Sequence, residues 1–329
     1  MKENIRVIQY GLGPIGCSMA RLVVERAGLQ LVGGIDIDPA KIGKDVGEAI
    51  GLGRSLGFNV VEKLSQEATR ADVVLHTTSS YFDFFKDQVF EILEAEMDVV
   101  STSEELSFPW LNHADDAAQV DDASKRAGKT VMGTGINPGF LMDSLPLFLT
   151  SICLKVTHIE VTRVINASLR RGPFQAKIGS GLTLEAFNEK MAAGHMGHVG
   201  LPESVGMVFD TVGKNLARYE ASVKPEVAEK LIKTDYFEVQ PGQVKGLKQV
   251  ARAYTDEGEF MTLAFIAALE AADDGDTIKI TGRPDLTVKL QGTNGDLATV
   301  AIAVNAIRRV REASPGLVTM RDLPIVSIF

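Results

Sequence analysis

Short apolar runs alternate with helically spaced apolar positions through the first half of the chain. Ile5–Tyr10 reads as a buried strand that stops at Gly11, and from Pro14 onward Ile15, Met19, Leu22 and Val23 recur at helical spacing until Gly28. Residues 31–35 form a second predicted strand, ending in Asp36. Segments 72–78, 98–102 and 130–135 repeat the apolar run, with helices predicted near 84–96 and 112–127. Strands separated by helices imply parallel βαβ units covered on both faces.

After residue 150 the period shortens to two. Val156, His158, Glu160, Thr162 and Val164 alternate with Thr157, Ile159, Val161, Arg163 and Ile165. Further strands are predicted at 236–240, 247–255, 260–269, 277–281 and Leu286–Leu290, too close together for intervening helices, which indicates a largely antiparallel sheet. Helices near 183–193 and 202–216 cover or link it, and 296–313 reads as one amphipathic helix. The expected fold class is α/β: a doubly wound parallel sheet over 1–150, an α+β domain over 151–295, and a C-terminal helix and tail over 296–329 that can return to the first domain.

Composition narrows the function classes. The 34 Lys and Arg against 43 Asp and Glu leave a net charge of -9, which argues against a nucleic-acid partner. Two cysteines, Cys17 and Cys153, offer neither a disulfide framework nor zinc-ribbon spacing. No signal-peptide anatomy precedes the first strand, and the longest apolar stretch, 141–156, is interrupted by Asp143, Pro146 and Lys155. A soluble cytoplasmic protein without a membrane partner is expected.

Gly11-Leu12-Gly13-Pro14-Ile15-Gly16 lies between a strand and a helix, where this spacing acquires meaning. Gly11 permits the turn, Gly13 lets backbone approach a pyrophosphate, Gly16 lets the helix pack on the strand, and the helix N-terminus favours phosphate. Asp36, ending the next strand, can bind an adenosine ribose; a turn without ligand is the bland alternative. A carboxylate there favours NAD, whereas Lys41 and Lys44 leave NADP open. Asp38 can simply cap a helix beginning near Pro39.

Three more strand ends carry polar residues. Thr77, Thr78 and Ser79 suit close passage of a nicotinamide ribose, or are ordinary turn residues. Glu104 and Glu105 follow a buried strand, and apolar Leu106, Phe108 and Trp110 would raise the pKa of a general base there. The bland alternative is that both are solvated or one caps the following helix; adjacent residues cannot both aim at one atom, so at most one is expected to be catalytic, with Glu104, closer to the strand end, favoured. Asn137, held by Pro138 and Gly139, can offer its amide to a carboxamide. In the second half, Arg170, Arg171 and Lys177 can bind a substrate carboxylate or be solvated loop charges. His195 and His198 lack a third ligand, and Gly194, Gly197 and Gly200 break any helix there, so no metal is expected.

Gly11–Gly16, Ile35-Asp36-Ile37-Asp38-Pro39, Ser101-Thr102-Ser103-Glu104-Glu105-Leu106, Gly133-Thr134-Gly135-Ile136-Asn137-Pro138-Gly139, Gly197-His198-Val199-Gly200-Leu201-Pro202-Glu203-Ser204 and Gly295-Asp296-Leu297-Ala298-Thr299 occur in order across nearly the whole chain. Together they resemble the 2,4-diaminopentanoate dehydrogenase family, whose relatives include native NAD(P)-dependent amine dehydrogenases. The resemblance implies a Rossmann-type nucleotide domain like that of dihydrodipicolinate reductase, a second α/β domain and a homodimer. It also implies reversible oxidative deamination of a small amine to a ketone or aldehyde plus ammonia, with the catalytic glutamate within Glu104-Glu105. A dihydrodipicolinate reductase itself is not expected, because its histidine-pair and Lys-x-Asp-Ala-Pro-Ser-Gly signature is absent. Phe140, Met142, Phe174 and His198 are candidates for the substrate wall. The expected function is an amine dehydrogenase; the alternatives are a 2,4-diaminopentanoate dehydrogenase and a catalytically silent NAD sensor.

Overall fold

A computed structural model describes residues 4–67, 70–194 and 196–329. The first stretch carries β1 (Ile5–Tyr10), α1 (Pro14–Glu25), β2 (Leu29–Ile35), α2 (Val46–Ala49), β3 (Val73–His76), α3 (Phe82–Glu94), β4 (Asp98–Ser101), α4 (Ala114–Ala127) and β5 (Thr130–Gly133). Next come α5 (Ser144–Thr150), β6 (Lys155–Asn166), α6 (Gly172–Lys177), α7 (Leu184–Ala192), α8 (Leu201–Thr211) and β7 (Arg218–Val227). The short strands β8 (Ile232–Lys233) and β9 (Glu238–Val239) follow, then β10 (Val244–Thr255), β11 (Gly258–Ala268), β12 (Gly275–Arg283) and β13 (Leu286–Leu290). The chain ends with α9 (Gly295–Glu312) and β14 (Gly316–Val318).

Two compact units result: Met1–Phe140 with Asn294–Phe329, and Leu141–Thr293. The division falls after Phe140 because Leu145, Leu147 and Leu149 pack into the second unit's core.

In the first unit a parallel sheet runs β14-β5-β4-β3-β1-β2. Met19, Ala20 and Val23 of α1 share one apolar cluster with Ala303, Val304 and Ile307 of α9. Phe82, Phe85, Val89 and Ile92 of α3 join Ala117 and Val120 of α4 in the other. Two separate cores, one per face, make the sheet doubly wound. The order reverses between β1 and β3, the switch point at which such sheets bind ligands beyond their carboxyl ends. Helix boundaries follow local chemistry: α4 opens with Asp115 and Asp116, closes with Lys125 and Arg126, and stops at Gly128 in the left-handed region. The Asn294 side chain accepts the Asp296 and Leu297 N–H groups to start α9.

The second unit is built on a sheet of order β13-β12-β6-β11-β10-β7, antiparallel except for the β6–β11 pair. Ile159, Val161 and Ile165 of β6 face a core completed by Val205, Val208 and Phe209 of α8 and Phe187 of α7. The sequence pattern does not reveal β7. It is an exposed edge strand with few apolar residues and Pro225 opposite Leu247, a position where proline costs no central ladder bond. The predicted strand at 236–240 shrinks to the two residues of β9, which pair only with β8. Among the described residues no helix is long and apolar enough to cross a membrane.

Candidate functional site

The carboxyl ends of β1, β3, β4 and β5 carry most of the residues singled out from the sequence. Gly11, at φ +90°, donates its N–H to Ile35 O, and a Cβ there would lie 2.6 Å from Thr77 O. A Cβ on Gly16 would sit 1.9 Å from Gly11 O, so α1 is packed hard against the turn. Gly13 is the opposite case: a Cβ on it would meet nothing within 4 Å. No side chain caps α1, whose N-terminal cap is Gly13 followed by exposed Pro14 and half-buried Ile15. Two glycines closing the turn and one facing open space form a cradle that fits a dinucleotide pyrophosphate.

Buried Asp36 braces this loop. Its Oδ2 accepts the Leu12 N–H at 2.7 Å and lies 3.2 Å from Lys41 Nζ, while Oδ1 accepts the Asp38 N–H at 2.8 Å. Lys41 also lies 3.4 Å from Asp38. Partial burial opposes the charge on Lys41, yet the two carboxylates outweigh it and hold the ammonium above its ordinary pKa.

Thr77 Oγ1 donates to Gly11 O at 2.8 Å, tying the β3 exit to the glycine turn. Beneath it the buried Gln9 amide donates to Thr77 Oγ1, Gly11 O and Leu75 O at 3.0–3.1 Å. His76, the last residue of β3, is buried between Tyr10 and Phe85 in edge-on ring contacts. Its Nδ1 is 2.9 Å from Ser101 Oγ; its Nε2 is 2.8 Å from Gln88 Oε1 and 2.9 Å from Thr78 Oγ1. Burial pushes this imidazole down to about 4, against a smaller upward pull from Gln88, so it is neutral near pH 7. Neither Gln9 nor His76 was expected at the site. Their only sequence signal is a polar residue last or next to last in an apolar strand, beside a glycine or hydroxyl turn.

The two adjacent glutamates occupy different environments. Glu105 Oε2 accepts the Phe82 N–H at the start of α3 at 2.5 Å and is 3.3 Å from His113 Nε2. The His113 ring in turn stacks on Phe82, with centroids 5.2 Å apart. Half-buried Glu104 opens the 3-10 turn Glu104–Ser107, and a Cβ on Gly133 would lie 2.3 Å from the backbone of Leu106 in that turn. The turn is therefore seated on the end of β5. Beyond it Asn137 is buried, and Ile136 N–H donates to Thr299 Oγ1 at 3.4 Å.

In the second unit, Met142 is fully buried in the core. The His198 ring stacks on Phe265 at 4.7 Å, and its backbone is clamped by Gln249, which accepts the His198 N–H at 2.6 Å and donates to its carbonyl at 3.1 Å. The Arg170 guanidinium lies 4.9 Å over the half-buried Phe174 ring, whereas Arg171 and Lys177 are exposed. Buried Arg163 faces Asp276 at 3.6 Å. No group of three potential metal ligands occurs among the described residues; His195 lies outside them.

Residues 140–329 match the family model described as the 2,4-diaminopentanoate dehydrogenase C-terminal domain, and residues 5–102 match the dihydrodipicolinate reductase N-terminus. A 2,4-diaminopentanoate dehydrogenase from Acetoanaerobium sticklandii is 31% identical, with 98% of this chain and 94% of that protein covered. An amine dehydrogenase from Streptomyces virginiae is 22% identical, with 98% of this chain and 96% of that protein covered. The solved amine dehydrogenase of Mycobacterium smegmatis superposes with a TM-score of 0.85 at 25% identity, covering 99% of this chain and 98% of that one.

Proposed function

The chain belongs to the 2,4-diaminopentanoate dehydrogenase family, and we propose that it is an NAD(P)-dependent amine dehydrogenase with Glu104 as its base. The observation that carries the assignment is the engagement of Glu105 by the α3 N-terminus and His113, at the carboxyl edge of a switch-point sheet. A carboxylate committed to capping a helix is poorly suited to shuttling protons. Glu104, one residue closer to β4, takes that role.

Gly11, Leu12, Gly13, Pro14, Ile15 and Gly16 hold the pyrophosphate at the start of α1, and Asp36 the adenosine ribose. Thr77, Thr78 and Ser79 line the second ribose, and Asn137 and Pro138 border the carboxamide. When bound, the nicotinamide supplies or accepts the hydride. In deamination the amine carbon gives up a hydride, leaving an iminium. Glu104 takes a proton from the water that attacks the iminium and passes it to the nitrogen; it then takes the hydroxyl proton as the carbonyl forms and neutral ammonia leaves. In reverse, Glu104 deprotonates ammonium so that it can attack a ketone or aldehyde. Orientation of the reacting carbon supplies much of the remaining acceleration. Asp36 supports NAD, and the Asp36–Lys41 pair supports acceptance of NADP as well.

The higher identity to the A. sticklandii relative favours a second substrate reading, 2,4-diaminopentanoate itself. On that reading Arg170, over Phe174 and electrostatically beside Arg163, is the first candidate for the carboxylate, ahead of Arg171 and Lys177. On either reading Phe174 and His198 are proposed as substrate contacts of the second unit and Phe140 as one of the first; Met142 is fully buried in the second unit's core. A cytoplasmic homodimer is part of the proposal. It would pair through the sheet face carrying Thr162, Val250, Thr262 and Ala264, the side opposite the core residues of β6 and β11.

The test follows nicotinamide absorbance with NAD+ and NADP+ against 2,4-diaminopentanoate and short alkyl and cyclic amines, with ketone plus ammonium in reverse. Turnover of simple amines supports the broad reading, and activity confined to the diamino acid supports the narrow one. Dinucleotide binding with no turnover on the whole panel would return the chain to the sensor class.

A further inference from the structure

His76 takes no direct part in the proposed chemistry, yet it is among the most completely engaged polar side chains of the first unit. Its two ring nitrogens reach different loops. Nε2 meets Gln88 Oε1 and Thr78 Oγ1, and Thr78 Oγ1 itself donates to Gln88 Oε1 at 2.6 Å. Nδ1 meets Ser101 Oγ, which lies 3.0 Å from Ser103 Oγ and accepts the Ser103 N–H at 3.1 Å. Ser103 is the N-terminal cap position of the turn that begins with Glu104.

The chain of contacts has a direction. Gln88 Oε1 can only accept, so it draws the ring proton to Nε2 and leaves Nδ1 facing Ser101 Oγ, whose one hydroxyl proton lies between Nδ1 and Ser103 Oγ. Ser101 Oγ is then oriented to receive the Ser103 N–H. His76, Ser101 and Ser103 are all fully or almost fully buried, so an unmade bond would leave a polar group stranded away from water. The same imidazole thus fixes the β3–α3 loop, with Thr78, and the β4 exit from which Glu104 is delivered.

We propose that His76 is the positioning residue for Glu104, holding the Ser101–Ser103 turn at one height above the sheet through its Nδ1 contact to Ser101. This deepens the reading of Glu104 as the base and rests on it. The neutral state expected for a ring at this depth is the state the contact chain needs. Displacement of a base by about 1 Å costs on the order of a hundredfold in rate while leaving ground-state binding largely intact.

The experiment compares His76→Leu, His76→Asn, Ser101→Ala and Glu104→Gln, reading kcat, KM for the best amine of the panel and dinucleotide Kd. His76→Leu and Ser101→Ala are expected to lower kcat about 10- to 100-fold, with KM and Kd within about threefold. His76→Asn, whose amide reaches the Nδ1 position, is expected to recover most of that loss. Combining His76→Leu with Glu104→Gln should cost little beyond Glu104→Gln alone in single-turnover rate, because one residue acts through the other. If His76→Leu does not fold, Ser101→Ala carries the comparison. Unchanged kcat in folded variants, equal damage to KM and Kd, or losses that multiply in the double variant would overturn the positioning role while leaving the base intact. Near-normal turnover of Glu104→Gln would instead remove the base and the positioning role together.

Discussion

The Glu105 carboxylate accepts the Phe82 N–H at 2.5 Å and at the same time lies 3.3 Å from His113, whose ring stacks on Phe82. One side chain therefore satisfies a helix N-terminus that no Ser, Thr, Asp or Asn occupies, since the cap residue of α3 is Tyr81.

The two glutamates should accordingly separate under mutation. Glu105→Ala is expected to lower stability by about 0.5–2 kcal/mol, the range for a lost helix cap, while keeping most of the turnover. Glu104→Gln is expected to reduce kcat by at least about a hundredfold. Urea titrations and steady-state rates on the same preparations check both, and the reverse pattern would exchange the roles.

The glycine turn gives a second contrast. Gly16→Ala forces a Cβ to 1.9 Å from Gly11 O and should destabilise the first unit by about 1–3 kcal/mol, as overpacking does. Gly13→Ala has room, and its φ of -65° suits any residue, so the fold should be untouched. Its methyl would instead stand where a pyrophosphate approaches, raising dinucleotide Kd about tenfold or more. Calorimetric melts and fluorescence titration with NADH distinguish the two effects.

Lys41→Met removes the cation held by Asp36 and Asp38. The remaining carboxylates repel a 2′-phosphate, so kcat/KM for NADP+ should fall at least about fivefold while that for NAD+ changes little. Equal losses with both dinucleotides would make Lys41 a brace for the loop rather than a discriminator.

His76 should write itself into the pH dependence of stability. Its folded pKa of about 4 lies below the unfolded value near 6.5, so between these values the unfolded chain binds more protons. Stability then rises with pH across that window and is lost as pH falls from about 6.5 to about 4, by on the order of 3 kcal/mol. Chemical melts at several pH values should show a shallower slope for His76→Asn than for the parent chain.

How much of this was legible in the sequence depends on whether a residue's role is local. The Gly11–Gly16 turn, Asp36 and the Glu104-Glu105 pair announce themselves because strand, turn and helix are neighbours in sequence. The strands β1 to β5 are equally visible, being buried on both faces. The difference between Glu104 and Glu105 is not, because it is set by Phe82 and His113, which reach Glu105 only after folding. Gln9 and His76 escape notice for the same reason: one is next to last in β1, the other last in β3, and each gains its meaning from a loop that follows a different strand. Strand β7 escapes because an edge needs little apolar sequence, and β14 because three residues carry no period.

The first unit is interrupted by the whole of the second, and α9, which covers α1 and β3 to β5, comes from the far end of the chain. During synthesis the ribosome must therefore release Leu141–Thr293 before the nucleotide half can close. Until then Val7, Met19, Val23 and Val100 lack their Val304 and Ile307 partners. A product truncated before Asn294 leaves that sheet face without α9, with the apolar surface that α9 would bury open to solvent.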